Sequence, residues 1–495
     1  MSFKPVILWT DALVYLLVAG LFVFAWYVWR NEHLLVPWRR VAHSASGMSA
    51  LTVLVFFISV GMLDTMHFRP AIENGGGGMG ETAYSVEVLS LLDLVAAPLR
   101  TRVEKTYSAP FAAHLYAKET VELPDGGQVR EFPRLKYGGA HLQDPEAERM
   151  ADVIKRSAAG AAMGLVIWGL AIVSLGILLG RGDGKGWRCA LSAVFCGSTA
   201  VPWRAICITL ALMLLFSGAA LALCGYYHIF GTDKVGQDVF YQSLKGVRTG
   251  LVIGTLTTLM MLPFALLLGI TAGYFRGWAD DIIQYLYTTL SSIPGVLLIA
   301  AAVLMMQVYM ETRPELFDTI AARADLRLLF LCLILGVTSW TGLCRLLRGE
   351  ALKLREMEYI QAAHAFGVSH WRIITRHILP NVMHIVLIST VMDFSGLVLA
   401  EAVLSYVGVG VDPSMISFGT MINGARLEMA REPMVWWALL AAFTFMFALV
   451  LSANLFADAV QSAFDPRIRI LSIKTGALRR KKSGGEPART YSETP

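Results

Sequence analysis

The chain has 495 residues, of which 56% are hydrophobic and 16% charged, and its formal net charge is +5. Soluble domains carry roughly 45–50% apolar and about 25% charged residues, so this composition is that of a membrane protein. The charge excess is mild and gathers in a basic C-terminal tail, which reads as an anchor to anionic lipid and calls for no nucleic-acid partner. No phosphate loop GxxxxGK[ST] occurs: Gly182-Asp183-Gly184-Lys185-Gly186 lacks both the spacing and the hydroxyl residue. There is no HExxH and no cysteine pair at metal spacing. The chain is therefore expected to be no enzyme and to hold no metal or cofactor of its own.

A bilayer is crossed by about 20 apolar residues. Nine such windows are read, at 11–29, 48–63, 158–180, 205–227, 249–273, 282–306, 328–345, 382–403 and 435–456. The first ends in Trp26-Tyr27-Val28-Trp29-Arg30, an interfacial anchor, and has no small-x-small cleavage site. The second is short enough to lie in the interface. Residues 1–63 thus form an N-terminal unit of extra spans. The charged stretch 64–156 reads as a small α+β extracytoplasmic domain. Within it, Gly75–Gly78 is a flexible linker, and Ser85–Leu99 an amphipathic helix through Val86, Leu89, Leu92 and Val95. Lys118–Phe132 is a hairpin turning at Pro124-Asp125-Gly126-Gly127, and Asp144-Pro145-Glu146 starts a helix that can run into the third span. A third extra span and a basic linker occupy 157–204. The cysteines at 189, 196, 207, 224, 332 and 344 avoid the 64–156 domain, so it carries no disulfide.

Short-loop basic residues set the orientation. Arg30, Arg39, Arg40, Arg181, Lys185, Arg188 and Arg204 fall on one side with Arg345, Arg348, Lys353 and the tail after 466. Nine spans then place the N-terminus outside and the C-terminus, with the tail 467–495, in the cytoplasm.

On that cytoplasmic side, residues 345–380 form a polar block. Gln361-Ala362-Ala363-His364-Ala365-Phe366-Gly367 is followed by Ile378-Leu379-Pro380. Ala362 and Ala363 allow close approach, Phe366 offers an apolar anchor, and Gly367 suits a left-handed C′ position. Ser369 is expected to cap a second short helix, which Pro380 ends. This is the design of a docking knob. His364 and His377 fit no tight metal site and read as solvated or interface histidines. Two carboxylates, Asp393 and Glu401, lie within or at the end of a span, where charge is expensive. Asp393 is a candidate for the solute path or for an interhelix hydrogen bond.

Further motifs follow one another in register. They are Gly231-Thr232-Asp233-Lys234-Val235-Gly236-Gln237-Asp238-Val239, Gly273-Tyr274-Phe275-Arg276-Gly277-Trp278-Ala279-Asp280, Leu399-Ala400-Glu401-Ala402 with Leu404-Ser405-Tyr406-Val407-Gly408-Val409-Gly410-Val411, and Asp465-Pro466-Arg467. With the polar block they resemble the C-type permease subunit of oligopeptide/dipeptide (peptide/nickel) ABC importers, the binding-protein-dependent transport inner membrane components. The resemblance covers 231–466. Gln361 stands where the family has Glu, Gln237 where it has Arg, and Phe418 where it mostly has Trp.

The resemblance implies an all-α polytopic fold with a six-helix permease core at 205–466, preceded by the three extra spans and the 64–156 domain. It implies ATPase coupling through Gln361, Ala362, Ala363, Phe366, Gly367, Leu379 and Pro380, an entrance-side motif at Gly231, Thr232, Asp233 and Asp238, and an architectural role for Glu401 at the helix end. It also implies a homologous B-type permease, one or two cytoplasmic ATPases that carry ATP and Mg, an extracytoplasmic solute-binding protein, and a bacterial inner-membrane location among lipid. The cargo would be a di- or oligopeptide. The rival readings are an ion-gradient-driven secondary transporter, which needs charged relays and an inverted repeat, and a membrane sensor or scaffold.

Overall fold

The structure is a computed structural model that describes residues 3–71, 84–122, 128–183, 186–197, 199–313 and 319–464. Gly75–Gly78, the turn at 124–127, Asp465-Pro466-Arg467 and the basic tail lie outside the described residues.

Short strand β1 (Phe3–Val6) leads into α1 (Trp9–Arg30), α2 (Glu32–His43) and α3 (Ala45–Thr65). Strands β2 (His67–Pro70) and β3 (Leu89–Ser90) follow, then the one-turn helices α4 (Leu91–Val95) and α5 (Ala97–Thr101) and the hairpin β4 (Glu119–Glu122) and β5 (Gln128–Glu131). The helices α6 (Pro145–Asp183), α7 (Trp187–Cys196) and α8 (Trp203–Cys224) lead to the C-terminal half. That half contains α9 (Val239–Phe275), α10 (Trp278–Ser292), α11 (Gly295–Thr312), α12 (Ile320–Ser339), α13 (Thr341–Arg355), α14 (Glu358–Ala365), α15 (His370–Ile373), a π turn (Ile374–Ile378), α16 (Leu379–Tyr406), α17 (Phe418–Glu428) and α18 (Trp437–Phe464).

Among the described residues, eight helices are long and apolar enough to cross a membrane: α1, α3, α6, α8, α9, α11, the continuous 370–406 helix and α18. The expected span at 48–63 is one of them, as the 21-residue α3. The window at 328–345 falls instead on α12 and the start of α13. Arg323, Asp325 and Arg327 put three charges into the first turns of α12, and it is not one of these eight. The window expected at 282–306 is divided at Ile293-Pro294, because proline ends the α-region for the residue before it.

At 37 residues, α9 is the central pillar, about 55 Å long at 1.5 Å per residue. Its apolar residues join two of the main cores, one with α12 through Val252, Ile253, Leu328 and Leu331, and one with α13 through Met261, Ala265, Cys344 and Leu347. A third core sets Val247 against Leu54 and Phe57 of α3 and Leu449 of α18, so an added helix packs directly on the C-terminal half.

The two ends of the bundle differ in chemistry. At the C-terminal end of α9, Tyr274 Oη hydrogen bonds His370 Nδ1 at 2.8 Å and Arg348 holds Asp280 at 2.8 Å. At its N-terminal end sit the two small sheets. The chain's first strand belongs to one of them: β1, β2 and β3 form an antiparallel sheet in that order, with Phe3 opposite Pro70 and His67 opposite Ser90. Glu119 pairs with Glu131 in the expected hairpin. Asp144 Oδ1 accepts from the Glu146 amide at 3.1 Å and starts α6, which runs unbroken through the third apolar window. The single amphipathic helix expected at Ser85–Leu99 is not formed. Ser90 and Asp93 make a capping box that begins α4 only at Leu91, Pro98 restarts the chain as α5, and Val86 and Val95 are exposed. All six cysteines are free.

Candidate functional site

The polar block is held from below and presented above. Ile360, Ile373 and Ile378 are almost fully buried in the core cluster of α9 and α13. After α14 the chain closes a complete Schellman motif. Val368 N–H donates to Ala363 O at 3.1 Å and Gly367 N–H to His364 O at 3.0 Å, with Gly367 at φ 73°. Phe366 is left 87% exposed and Trp371, which the sequence reading passed over, 71% exposed. Gln361 Nε2 donates to Glu356 O at 3.2 Å, Ala362 is exposed, and Ala363 is half-buried. Gln361, His364, His370, Tyr274, Arg355 and Glu356 edge a cleft of about 310 Å³ beside the knob.

Two expectations for this block fail. Ser369 occupies the N-cap position, but its side chain makes no capping bond. Pro380 does not end the second helix. It sits in the first turn of α16, and the preceding turn widens to π geometry, with Leu379 N–H donating to Ile374 O. The wider turn makes room for the pyrrolidine ring, and Asn381 Nδ2 takes the His377 carbonyl at 2.7 Å. Leu379 is half-buried and Pro380 exposed.

At the other end, the Gly231–Asp238 loop forms a joint with the 66–144 region. Asp238 Oδ1 caps α9 by accepting from Phe240 N at 2.8 Å and Tyr241 N at 3.2 Å. Its Oδ2 meets His228 Nδ1 at 2.7 Å, and His228 Nε2 lies 3.5 Å from Glu104 Oε1. Glu104 also accepts from the amides of Lys136, Tyr137 and Gly138 at 2.8–3.1 Å. Burial opposes ionisation of Glu104, but His228 and these amides win and hold its carboxyl down at about 2. Burial likewise disfavours the imidazolium, yet Asp238 and Glu104 raise His228 to about 9. The Thr232 hydroxyl accepts from Ser108 N at 2.7 Å and donates to Thr106 O at 2.8 Å. Asp233 Oδ1 closes its own loop on Val235 N and Gln237 N. Gly231 and Gly236 have φ 67° and 78°, and a Cβ on Gly236 would stand 1.9 Å from Glu104 O. The motif glycines thus admit the backbone of the added region. Glu104, Ser108 and His228 lack any local pattern in the sequence; only the fold assembles them.

Beside the joint is a buried ionic group that the sequence reading also missed. Arg248 Nη2 binds Asp11 Oδ1 at 2.6 Å, and Asp325 Oδ2 accepts from Thr10 N at 3.1 Å. His67 Nδ1 lies 2.7 Å from Asp11. Lys245 reaches Asp93 at 2.9 Å and Asp64 at 3.4 Å. Charges at the edges of apolar windows were the available signal: Arg248 stands just before the 249–273 window and Asp325 just before the 328–345 window. Of the two carboxylates singled out beforehand, Glu401 is 1% exposed and accepts from Ser405 Oγ at 2.7 Å and Ser417 Oγ at 2.9 Å, tying α16 to the cap of α17. Asp393 is half-buried and has no hydrogen-bond or ion-pair partner among the described residues. Those residues contain no cluster of three or more His, Cys, Asp or Glu that could hold a metal.

Residues 265–470 match the family model of the binding-protein-dependent transport system inner membrane component. Among curated proteins, the oligopeptide transport system permease protein OppC of Mycobacterium tuberculosis is 31% identical over 50% of this chain and 78% of its own length. The glutathione transport system permease protein GsiD of Pectobacterium atrosepticum is 31% identical over 49% of this chain and 73% of its own. The dipeptide transport system permease protein DppC of Bacillus subtilis is 29% identical over 49% and 69%.

Proposed function

From the premise that the chain belongs to the binding-protein-dependent transport system inner membrane components, we propose how it works within a peptide importer. It is a multi-pass inner-membrane transport subunit of an ABC importer whose relatives carry oligopeptides, dipeptides and glutathione. It serves as a transport subunit rather than an enzyme. In this reading, a homologous permease completes the pathway, ATP and Mg act on separate ATPase subunits, and a binding protein delivers a short peptide from outside. The N-terminus lies outside, and the basic tail in the cytoplasm.

The observation that carries the mechanism is the exposed Phe366, standing on a glycine-closed turn whose isoleucines are rooted in the core around α9 and α13. An anchored knob transmits movement: an ATPase that grips Phe366 displaces α13 and α16 together, because Ile360, Ile373 and Ile378 share one packed cluster. Gln361, Ala362, Ala363, Gly367, Leu379 and Pro380 shape that contact. Gly231, Thr232, Asp233 and Asp238 hold the entrance side. Asp393, without a partner among the described residues, faces the solute path, while Glu401 braces α16 against α17.

The test is ATP-dependent uptake of a labelled tripeptide by proteoliposomes containing the four kinds of subunit. Uptake that needs ATP and fails without this chain supports the reading. Uptake driven by an ion gradient without ATP would favour a secondary transporter, and no uptake with intact ligand binding a sensor.

A further inference from the structure

We infer that a cleft at the outer end of the bundle recognises the free amino terminus of a peptide. The inference rests on the peptide-importer reading and adds a recognition site within this chain. The cleft measures about 590 Å³, within the roughly 300–1,000 Å³ of small-ligand sites. Its walls come from both parts of the chain: Leu8, Val86 and Val88 from the added N-terminal region, Ile320, Met415 and Ile416 from the C-terminal half. Asp64, Lys245, Arg248 and Asp325 line its charged side.

Two independent observations select the ligand. The first is a charge imbalance. Asp11, Asp64, Asp93 and Asp325 are buried to 0–4% exposure, and they share two permanent cations, Lys245 and Arg248. Burial pushes the Asp325 carboxyl toward its neutral form, and Asp11, Asp64 and Asp93 still outnumber the two permanent cations by one. Buried charge without a partner is strongly unfavourable, and a ligand ammonium offsets it. The second is an orphan donor. Arg248 is 5% exposed and lines the cleft, but its Nε–H has no acceptor among the described residues. A buried guanidinium N–H left unpaired calls for an oxygen. An ammonium next to a neutral carbonyl acceptor is the start of a peptide. The ammonium meets Asp64 and Asp325, the first carbonyl accepts from Arg248 Nε, and the first side chain lies on the apolar wall. The carboxyl end of the peptide is not read.

The test uses the purified complex in detergent, with exposed Cys189 and Cys196 replaced by serine and Ser414→Cys in the cleft wall as reporter. At a concentration about ten times their Kd, trialanine and trialanine amide should each slow labelling by a charged maleimide about tenfold, as mass action requires. N-acetyl-trialanine should not. Ala321→Trp, which fills the cleft from the first turn of α12, should abolish the protection while the tryptic pattern stays native. Equal protection by the acetylated peptide overturns amino-terminal recognition. Absence of protection by every peptide, or protection surviving Ala321→Trp, overturns the site. ATP-driven trialanine uptake measured on the same preparation separates the two readings: uptake without protection removes this site and leaves the importer, and protection without uptake does the reverse.

Discussion

Phe366 and Trp371 point outward from a block whose isoleucines are buried, so their exposure is not a packing leftover. A desolvated aromatic anchor costs about 2 kcal/mol or more when truncated, roughly thirtyfold in affinity. Phe366→Ala should accordingly release the ATPases during purification while membrane insertion is unchanged; normal co-purification would remove Phe366 as the anchor. Gly367 is a separate case, because its φ of 73° excludes β-branched residues and tolerates asparagine. Gly367→Val should uncouple hydrolysis from uptake more severely than Gly367→Asn, read as ATP hydrolysed per peptide imported. Glu401 makes a third contrast. Glu401→Gln keeps an acceptor for Ser405 and Ser417, whereas Glu401→Leu strands both buried hydroxyls, at about 1–3 kcal/mol each. The thermal midpoint should fall clearly for leucine and little for glutamine. The knob could be read from sequence because glycine, alanine and a lone phenylalanine advertise local geometry. Glu104, His228 and Arg248 could not, because their meaning comes from partners 10 to 237 positions away.

Elements with strong local signals behaved as their residues suggest: α6 starts at Asp144-Pro145, and 119–122 pairs antiparallel with 128–131 as the expected hairpin. Elements governed by tertiary context did not. Leu92 is buried and Val95 exposed because α4 is one turn set by a capping box, so helical spacing across 85–99 counted residues of three different elements. Pro380 continues its helix because the π turn before it moves the backbone clear of the ring. The joint between the 66–144 region and α9 carries a pH signature. His228, raised from 6.5 to about 9, contributes stability fully present below its unfolded value and lost as pH climbs through about 9. Glu104, lowered from 4.5 to about 2, contributes above its unfolded value and loses that only as pH falls through about 2. The thermal midpoint in detergent should therefore decline on the alkaline side, between about pH 7 and 10. His228→Gln should start lower and decline less. Parallel alkaline limbs in the two proteins would show that another group titrates.

Across the whole molecule, the added helices are not a detachable preface, since α3 shares a core with α9 and α18 and the 66–144 region completes the Gly231–Asp238 loop. Replacing 76–143 with a short linker should deprive Thr232 of Thr106 and Ser108, and His228 of Glu104, and lower the stability of the entire subunit. A shortened protein as stable as the parent would mean that the joint is superficial. Sidedness can be tested by itself: Arg130→Cys, on an exposed strand, should react with an impermeant thiol reagent from outside in intact spheroplasts. The buried contacts of α1 have a last consequence, which concerns time. Thr10 and Asp11 find Asp325 and Arg248 more than two hundred positions later, the longest of these links spanning 315 residues. At about 5–20 residues per second, the ribosome reaches Arg248, 237 residues after Asp11, in roughly 12–47 s. For that interval the first helix stands in the bilayer with a carboxylate whose counter-charge has not yet been made. The emerging chain therefore depends on water at the membrane surface, or on the insertion machinery, to shelter Asp11 until the later helices close around it.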